Sequence, residues 1–135
     1  MPGIQPYRDL EVWQLGMDLA EACYRLTGSF PQEETFDLKS QIRRAAISVP
    51  ANIAEGYGRD GSGEYVQFLR VAQGSLKEIE THLLLAQRVG LLAEAGVDPV
   101  LSMSDRLGRA LRSLYRSIQA MPRRYGVRED GFTDA

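Results

Sequence analysis

Residues 62–90, SGEYVQFLRVAQGSLKEIETHLLLAQRVG, decide the fold of this chain. Tyr65, Leu69, Ala72, Leu76, Ile79, Leu83 and Ala86 recur at alternating steps of four and three. That spacing keeps apolar groups on one face of a helix with 3.6 residues per turn, whereas a half-buried strand needs a period of two. Ser62 and Gly90 bracket the pattern, so the segment reads as one long amphipathic helix.

The same test works outward in both directions. Downstream, Asp98 is a good N-cap and Pro99 suits a first helical position, so another helix is expected to open there. Its seam is Val100, Met103, Leu107, Leu111, Leu114, Ile118 and Met121, and Pro122 stops it. Upstream, a helix is expected from near Thr35 to about Glu55, with Leu38, Ile42, Ala45, Val49 and Ile53 as its apolar seam. Pro50 falls inside it, where the missing amide and the crowded carbonyl of Ala46 predict a kink. The first helix is expected to start with Asp9 as its N-cap. It carries two apolar stripes: Leu10, Trp13, Met17, Ala20 and Tyr24, then Val12, Leu15, Leu19, Ala22 and Leu26. Two stripes predict burial over a wide arc, either deep in a bundle or shared with another subunit. Four helices with short links predict an all-α fold, an antiparallel up-down four-helix bundle over residues 1–122, with a loosely ordered tail at 123–135.

At 135 residues the chain is long enough to bury a core without disulfides or metals. No stretch approaches the roughly 20 apolar residues of a membrane span, and Asp9 and Glu11 break any secretory leader. The one cysteine, Cys23, cannot close an internal disulfide, so a reducing, cytoplasmic setting is expected. The net charge of −2 covers an asymmetry. Residues 1–105 carry a net of −6, residues 106–128 hold seven arginines and no acid, and the last seven residues carry −3. Attraction for anions is therefore local.

Catalytic chemistry is sparsely equipped. His82 is the single histidine, which rules out paired-histidine metal sites by count. It falls between Ile79 and Ala86, where a boundary residue with an ordinary hydrogen bond is the favoured reading. Cys23 with His82 offers a nucleophile pair in principle, but a helical cysteine acts far more often as a small apolar group. The link GYGRDGSG, residues 56–63, sets four glycines and Arg59 ahead of a helix N-terminus, an arrangement that also cradles phosphates. No strand precedes it, so a chain reversal is the better reading. No enzyme, cofactor or metal is expected.

Two polar patterns remain. Gln41, Arg44, Ser48, Asn52 and Glu55 form a stripe at 3-4-4-3 spacing beside Ala45, Ala46, Ala51 and Ala54. A polar stripe on so thin a surface suits a hydrogen-bonded contact with another helix or an oligomer contact; a solvated face is the alternative. On the fourth helix Arg106, Arg109, Arg112 and Arg116 recur at 3-3-4 spacing, and Arg123 and Arg124 carry the charge onward. Forked guanidinium groups suit a nucleic-acid backbone; ion pairs with the acidic remainder of the chain, or an oligomer contact, are the competing reading.

Three blocks in order, YRDLEVWQLGMDLA (7–20), LKSQIRRAAISVPANIAEGYGR (38–59) and EYVQFLRVAQGSLKEIETHLLLAQRVGLL (64–92), resemble the four-helix-bundle family encoded within intervening sequences of bacterial 23S rRNA genes. The resemblance implies an up-down bundle that assembles as a ring-shaped homopentamer, with no established enzymatic activity. A related branch, the accessory proteins of diversity-generating retroelements, binds nucleic acid and a reverse transcriptase through strongly basic surfaces. This chain departs from that branch in its acidic balance and its two lysines. The family's motif falls here on Arg43, Arg44, Ser48, Pro50, Asn52, Glu55 and Gly56, then on Gly74, Ser75, Leu76, Glu78 and Glu80, all read as determinants of shape and assembly. Gly74, in mid-helix, costs about 1 kcal/mol against alanine, so close approach of a neighbouring backbone is expected there.

The leading expectation is a non-enzymatic homo-oligomeric scaffold, a pentamer by the resemblance. An RNA- or DNA-binding module using the fourth-helix arginines and a helix-groove adaptor for another protein are the alternatives. No membrane partner is expected.

Overall fold

A computed structural model describes residues 6–34 and 37–121. Among them lie four α-helices and no strand: α1 (Glu11–Thr27), α2 (Leu38–Tyr57), α3 (Ser62–Arg88) and α4 (Glu94–Ala120), with 3-10 turns at Tyr7–Asp9 and Gln32–Glu34. None of these helices is long and apolar enough to cross a membrane. The tail at 123–135 and the start near Thr35 fall outside the described residues.

α1 packs on α2, α2 on α3, α3 on α4, and α4 returns to α1, while the diagonal helices do not meet. Along each pair, residue numbers rise on one helix as they fall on its neighbour. Arg43 meets Tyr24 and Thr27, whereas Val49 and Pro50 lie against Gly16. Ser48 meets Ser75, whereas Gly56 lies against Phe68. Gln73 meets the carbonyl of Gly108, and Glu80 meets Ser104. Leu19, Ile42, Leu76 and Leu107 fill the space between them and are fully buried.

α3 buries its heptad: Leu69, Ala72, Leu76, Ile79, Leu83 and Ala86 are buried and Tyr65 is half-buried. It ends where Gly90 takes a φ of 87°, which lets the Leu91 amide donate back to the Ala86 carbonyl at 2.9 Å. A left-handed residue at this point favours glycine, whose missing Cβ avoids the strain. α2 likewise buries Leu38, Ile42, Ala45, Val49 and Ile53, joined by Ala46, Pro50 and Gly56.

The helix starts differ from expectation in two places. Asp9 is not the cap of α1. The chain after Pro6 makes a 3-10 turn that uses Asp9 as its last residue, its amide donating to the Pro6 carbonyl at 3.0 Å, and Leu10 becomes the N-cap. Tyr7 then sets its ring edge-on to Trp13 at 5.4 Å, which holds the turn against α1. Asp98 and Pro99 do not open α4 either; the helix begins at Glu94, capped by Ala93. The added turn buries Val97 completely. Pro99 costs little there, because the carbonyl it leaves without a donor belongs to exposed Ala95. At the far end Met121 lies outside the helix and is 65% exposed, so the apolar seam stops at Ile118.

α1 also departs from the two-stripe expectation. Its buried line is Val12, Gly16, Leu19, Cys23 and Thr27, which runs between the stripes. α2 covers one flank and α4 the other, so Leu15, Ala22 and Leu26 pack inside this chain and the wide arc requires no second copy. Met17 and Tyr24 lie at the outer margin and are exposed.

Among the described glycines the tightest contact is at Gly56. A Cβ built there would stand 2.6 Å from the Phe68 Cβ and 3.3 Å from the Tyr65 carbonyl oxygen of α3. Neither obstacle is the end of a flexible side chain, so the helices must separate to admit a methyl group. Gly56→Ala is expected to lower stability by about 2 kcal/mol, read as a shifted urea midpoint at unchanged slope. A midpoint equal to that of the parent contradicts the packing.

Candidate functional site

The polar stripe of α2 divides by depth. Ser48 and Asn52 are half-buried, whereas Gln41, Arg44 and Glu55 are exposed. The Ser48 hydroxyl lies 2.5 Å from the Ser75 hydroxyl of α3 and 2.8 Å from the Ala45 carbonyl oxygen. A carbonyl only accepts and each hydroxyl has one proton, so a consistent network has Ser75 donating to Ser48 and Ser48 donating to Ala45. The Asn52 side-chain amide donates to the Ser48 carbonyl at 2.7 Å. At Ser48 the stripe is thus a hydrogen-bonded contact with α3, whereas Asn52 bonds back within α2. The outer half faces solvent, with Glu55 paired to Arg59 at 2.8 Å.

That pairing also answers the glycine-rich link. Arg59 is held by Glu55 and lies 4.9 Å over the Phe68 ring, and Gly58 is the C-cap of α2, its amide donating to Ala54 and Glu55. The link reverses the chain.

Arg43 has a role that spacing does not reveal. Its Nε donates to Thr27 Oγ1 at 2.9 Å, its Nη2 donates to the Tyr24 carbonyl at 3.0 Å, and its guanidinium carbon lies 4.3 Å from the Tyr24 ring centroid. The last carbonyls of a helix lack intrahelical donors and carry its negative pole, so a cation there stabilises the end of α1. The motif residue Glu80 serves the other side of the bundle: half-buried, it accepts from Ser104 of α4 at 2.6 Å and pairs with Lys77 at 3.1 Å.

On α4, Arg106, Arg109 and Arg116 are exposed and Arg112 is half-buried. Arg109 pairs with Asp105 at 3.2 Å, an exposed contact of little energetic weight. Among the described residues no carboxylate pairs with Arg106, Arg112 or Arg116. Arg123 and Arg124 lie outside the described residues. Arg70 of α3, absent from the expected stripe, lies 5.3 Å from the Tyr115 ring centroid and adds a cation beside α4.

At Gly74 the expected close approach is not made within one chain. Among the described residues nothing lies within 4 Å of a Cβ added there. The position faces outward from α3, and the close glycine contact falls at Gly56 instead.

Cys23 and His82 are not brought together. They sit on α1 and α3, which lie across the core from one another without contact. No group of three or more His, Cys, Asp or Glu among the described residues is placed to hold a metal ion. Cys23 is fully buried.

Residues 8–113, from ahead of α1 to well into α4, match the family model of the 23S rRNA-intervening sequence protein. This chain belongs to that family. This chain is similar in structure to a protein with unknown function from the S23 ribosomal protein family of Bacteroides thetaiotaomicron, solved as a crystal structure, with a TM-score of 0.70 at 20% identity. The match covers 78% of this chain and 98% of that one, and it is a likeness of fold. No curated protein matches this chain.

Burial pushes the Cys23 thiol from 9.0 up to about 12. Between those values the unfolded chain releases this proton while the folded chain keeps it, so stability falls as pH rises through the window. The expected loss is about 1 kcal/mol from about pH 8 to pH 10 by urea denaturation. Cys23→Ala should flatten that part of the profile, leaving only the steeper decline above pH 10 to which Tyr65, also raised to about 12 by burial and then by Tyr57, contributes.

Proposed function

We propose that this protein is an antiparallel up-down four-helix bundle that acts without catalysis, as a homo-oligomeric scaffold whose copies meet on the outer face of α3. The opposed residue numbering across each helix pair supports the topology, and the resemblance alone supports a count of five. One observation carries the self-association. At 100° per residue, Val71, Gly74, Glu78, Leu85 and Val89 fall within about 60° of one another. Val71, Leu85 and Val89 are 44%, 46% and 60% exposed, and the space over Gly74 is empty. In a lone chain the glycine costs helix stability for no packing gain, and three large apolar groups remain in water. A helix of another copy laid along this line removes both penalties, since glycine lets a backbone come close.

Light scattering at micromolar concentration should therefore return a mass several times 15.0 kDa. Val71→Glu with Leu85→Glu should reduce it to that of one chain with helical circular dichroism unchanged. A parent protein that is monomeric overturns the reading.

A second reading, binding of an RNA or DNA backbone, is favoured by Arg106, Arg112 and Arg116, which pair with no carboxylate among the described residues, and by Arg70 against Tyr115 of the same helix. It predicts binding that weakens steeply with salt and is lost when Arg109, Arg112 and Arg116 are together changed to Glu. No binding at low salt dismisses it.

A further inference from the structure

A recess of about 380 Å³ opens between the last turn of α1 and the first three turns of α2, lined by Tyr24, Lys39, Ser40, Arg43, Arg44 and Ile47. Among the described residues three cations line this space and no carboxylate does. The nearby acids are otherwise placed: Glu21 is held by Arg25 at 2.6 Å, and Asp37, the N-cap of α2, does not line the recess. Among the described residues no carboxylate pairs with Lys39, Arg43 or Arg44. In a chain with a net charge of −2, the described lining of this recess is a local surplus of positive charge.

The arrangement is built rather than a chance meeting of surface side chains. Arg43 is half-buried and fixed by two neutral acceptors, Thr27 Oγ1 and the Tyr24 carbonyl, so its remaining guanidinium hydrogens are held in place at the edge of the recess. A partly desolvated guanidinium with only neutral partners is a charge that an anion would stabilise further. Ser40 adds a hydroxyl. Against these polar groups stand Ile47, 50% exposed, and the Tyr24 ring, 38% exposed, which make one wall apolar.

We propose that this recess binds a phosphate ester, with the phosphate on Lys39, Ser40, Arg43 and Arg44 and the organic part against Ile47 and Tyr24. Donors arriving from a lysine, two arginines and a hydroxyl suit a tetrahedral group with three terminal oxygens and up to two charges. A carboxylate offers two oxygens in one plane and a single charge. The apolar wall favours an ester over bare phosphate. A free mononucleotide and the phosphorylated 5′ end of an RNA present the same chemistry, and the inference does not depend on self-association.

The test is calorimetric titration of the full chain at low ionic strength with AMP, adenosine, inorganic phosphate, and a short RNA with either a 5′-phosphate or a 5′-hydroxyl. AMP or the 5′-phosphorylated RNA should bind, AMP alone assigning a small ester and the RNA alone a polymer end. Adenosine and the 5′-hydroxyl RNA should bind at least about tenfold more weakly than their phosphorylated forms, and inorganic phosphate more weakly than AMP. Lys39→Gln with Arg44→Gln, both away from the core, should weaken binding about tenfold or more at unchanged helix content. Three results overturn the proposal: no binding of either phosphorylated ligand, adenosine binding as tightly as AMP, or affinity indifferent to the Lys39 and Arg44 changes.

Discussion

The close fit of α2 against both its neighbours is the constraint on which the bundle depends. A glycine stands at each contact, one on α1 and one on α2 itself. Gly16 of α1 comes against Val49 and Pro50 on one side, Gly56 comes against Phe68 of α3 on the other, and Ala45 and Ala46 lie buried between. The Gly56 contact and the Ser48–Ser75 hydrogen bond lie eight residues apart, roughly 12 Å along the helix, and two fixed points settle both the slide and the rotation of α3. Once α3 is placed, Gln73 and Glu80 on its far flank are set to meet Gly108 and Ser104 of α4. The polar groups in these contacts add modest energy; their larger effect is to penalise neighbouring registers, in which they would lose their partners.

Arg43 gives α2 a second task. One side chain joins the end of α1 to the body of α2 through a hydroxyl, a carbonyl and an aromatic face. Lysine could supply charge there, but not a planar fork that stacks and donates in two directions at once.

How much of this was legible before the structure differed from element to element. α3 could be read almost to the residue because its heptad is long and its closing glycine is required by a left-handed turn. The starts of α1 and α4 were misread where a good local cap competed with a tertiary gain. Asp9 was drawn into the turn after Pro6, and the Asp98–Pro99 signal yielded to the burial of Val97. Ser48 was visible from spacing as a contact residue, because a polar stripe beside small residues constrains its surroundings, whereas Asn52 bonds back onto its own helix. Arg43 was not, since its partners lie 16 and 19 residues away in the chain. The two motif glycines make the same point. Gly56 and Gly74 look alike in the sequence, and only the three-dimensional arrangement tells that one is pressed against Phe68 and the other faces open space.

The way the ring of helices closes has a mechanical consequence. α1 begins where α4 finishes, with Leu10 and Glu11 beside Leu114 and Ser117, so the backbone enters and leaves the bundle at one pole. Among the described residues no hydrogen bond or ion pair crosses that seam, whereas each of the other three carries at least one hydrogen bond. A pull on the two ends would therefore be resisted there by greasy contact alone. The bundle would unzip from that edge while α2 and α3 still held together, which makes the seam between its first and last helices the weakest under tension.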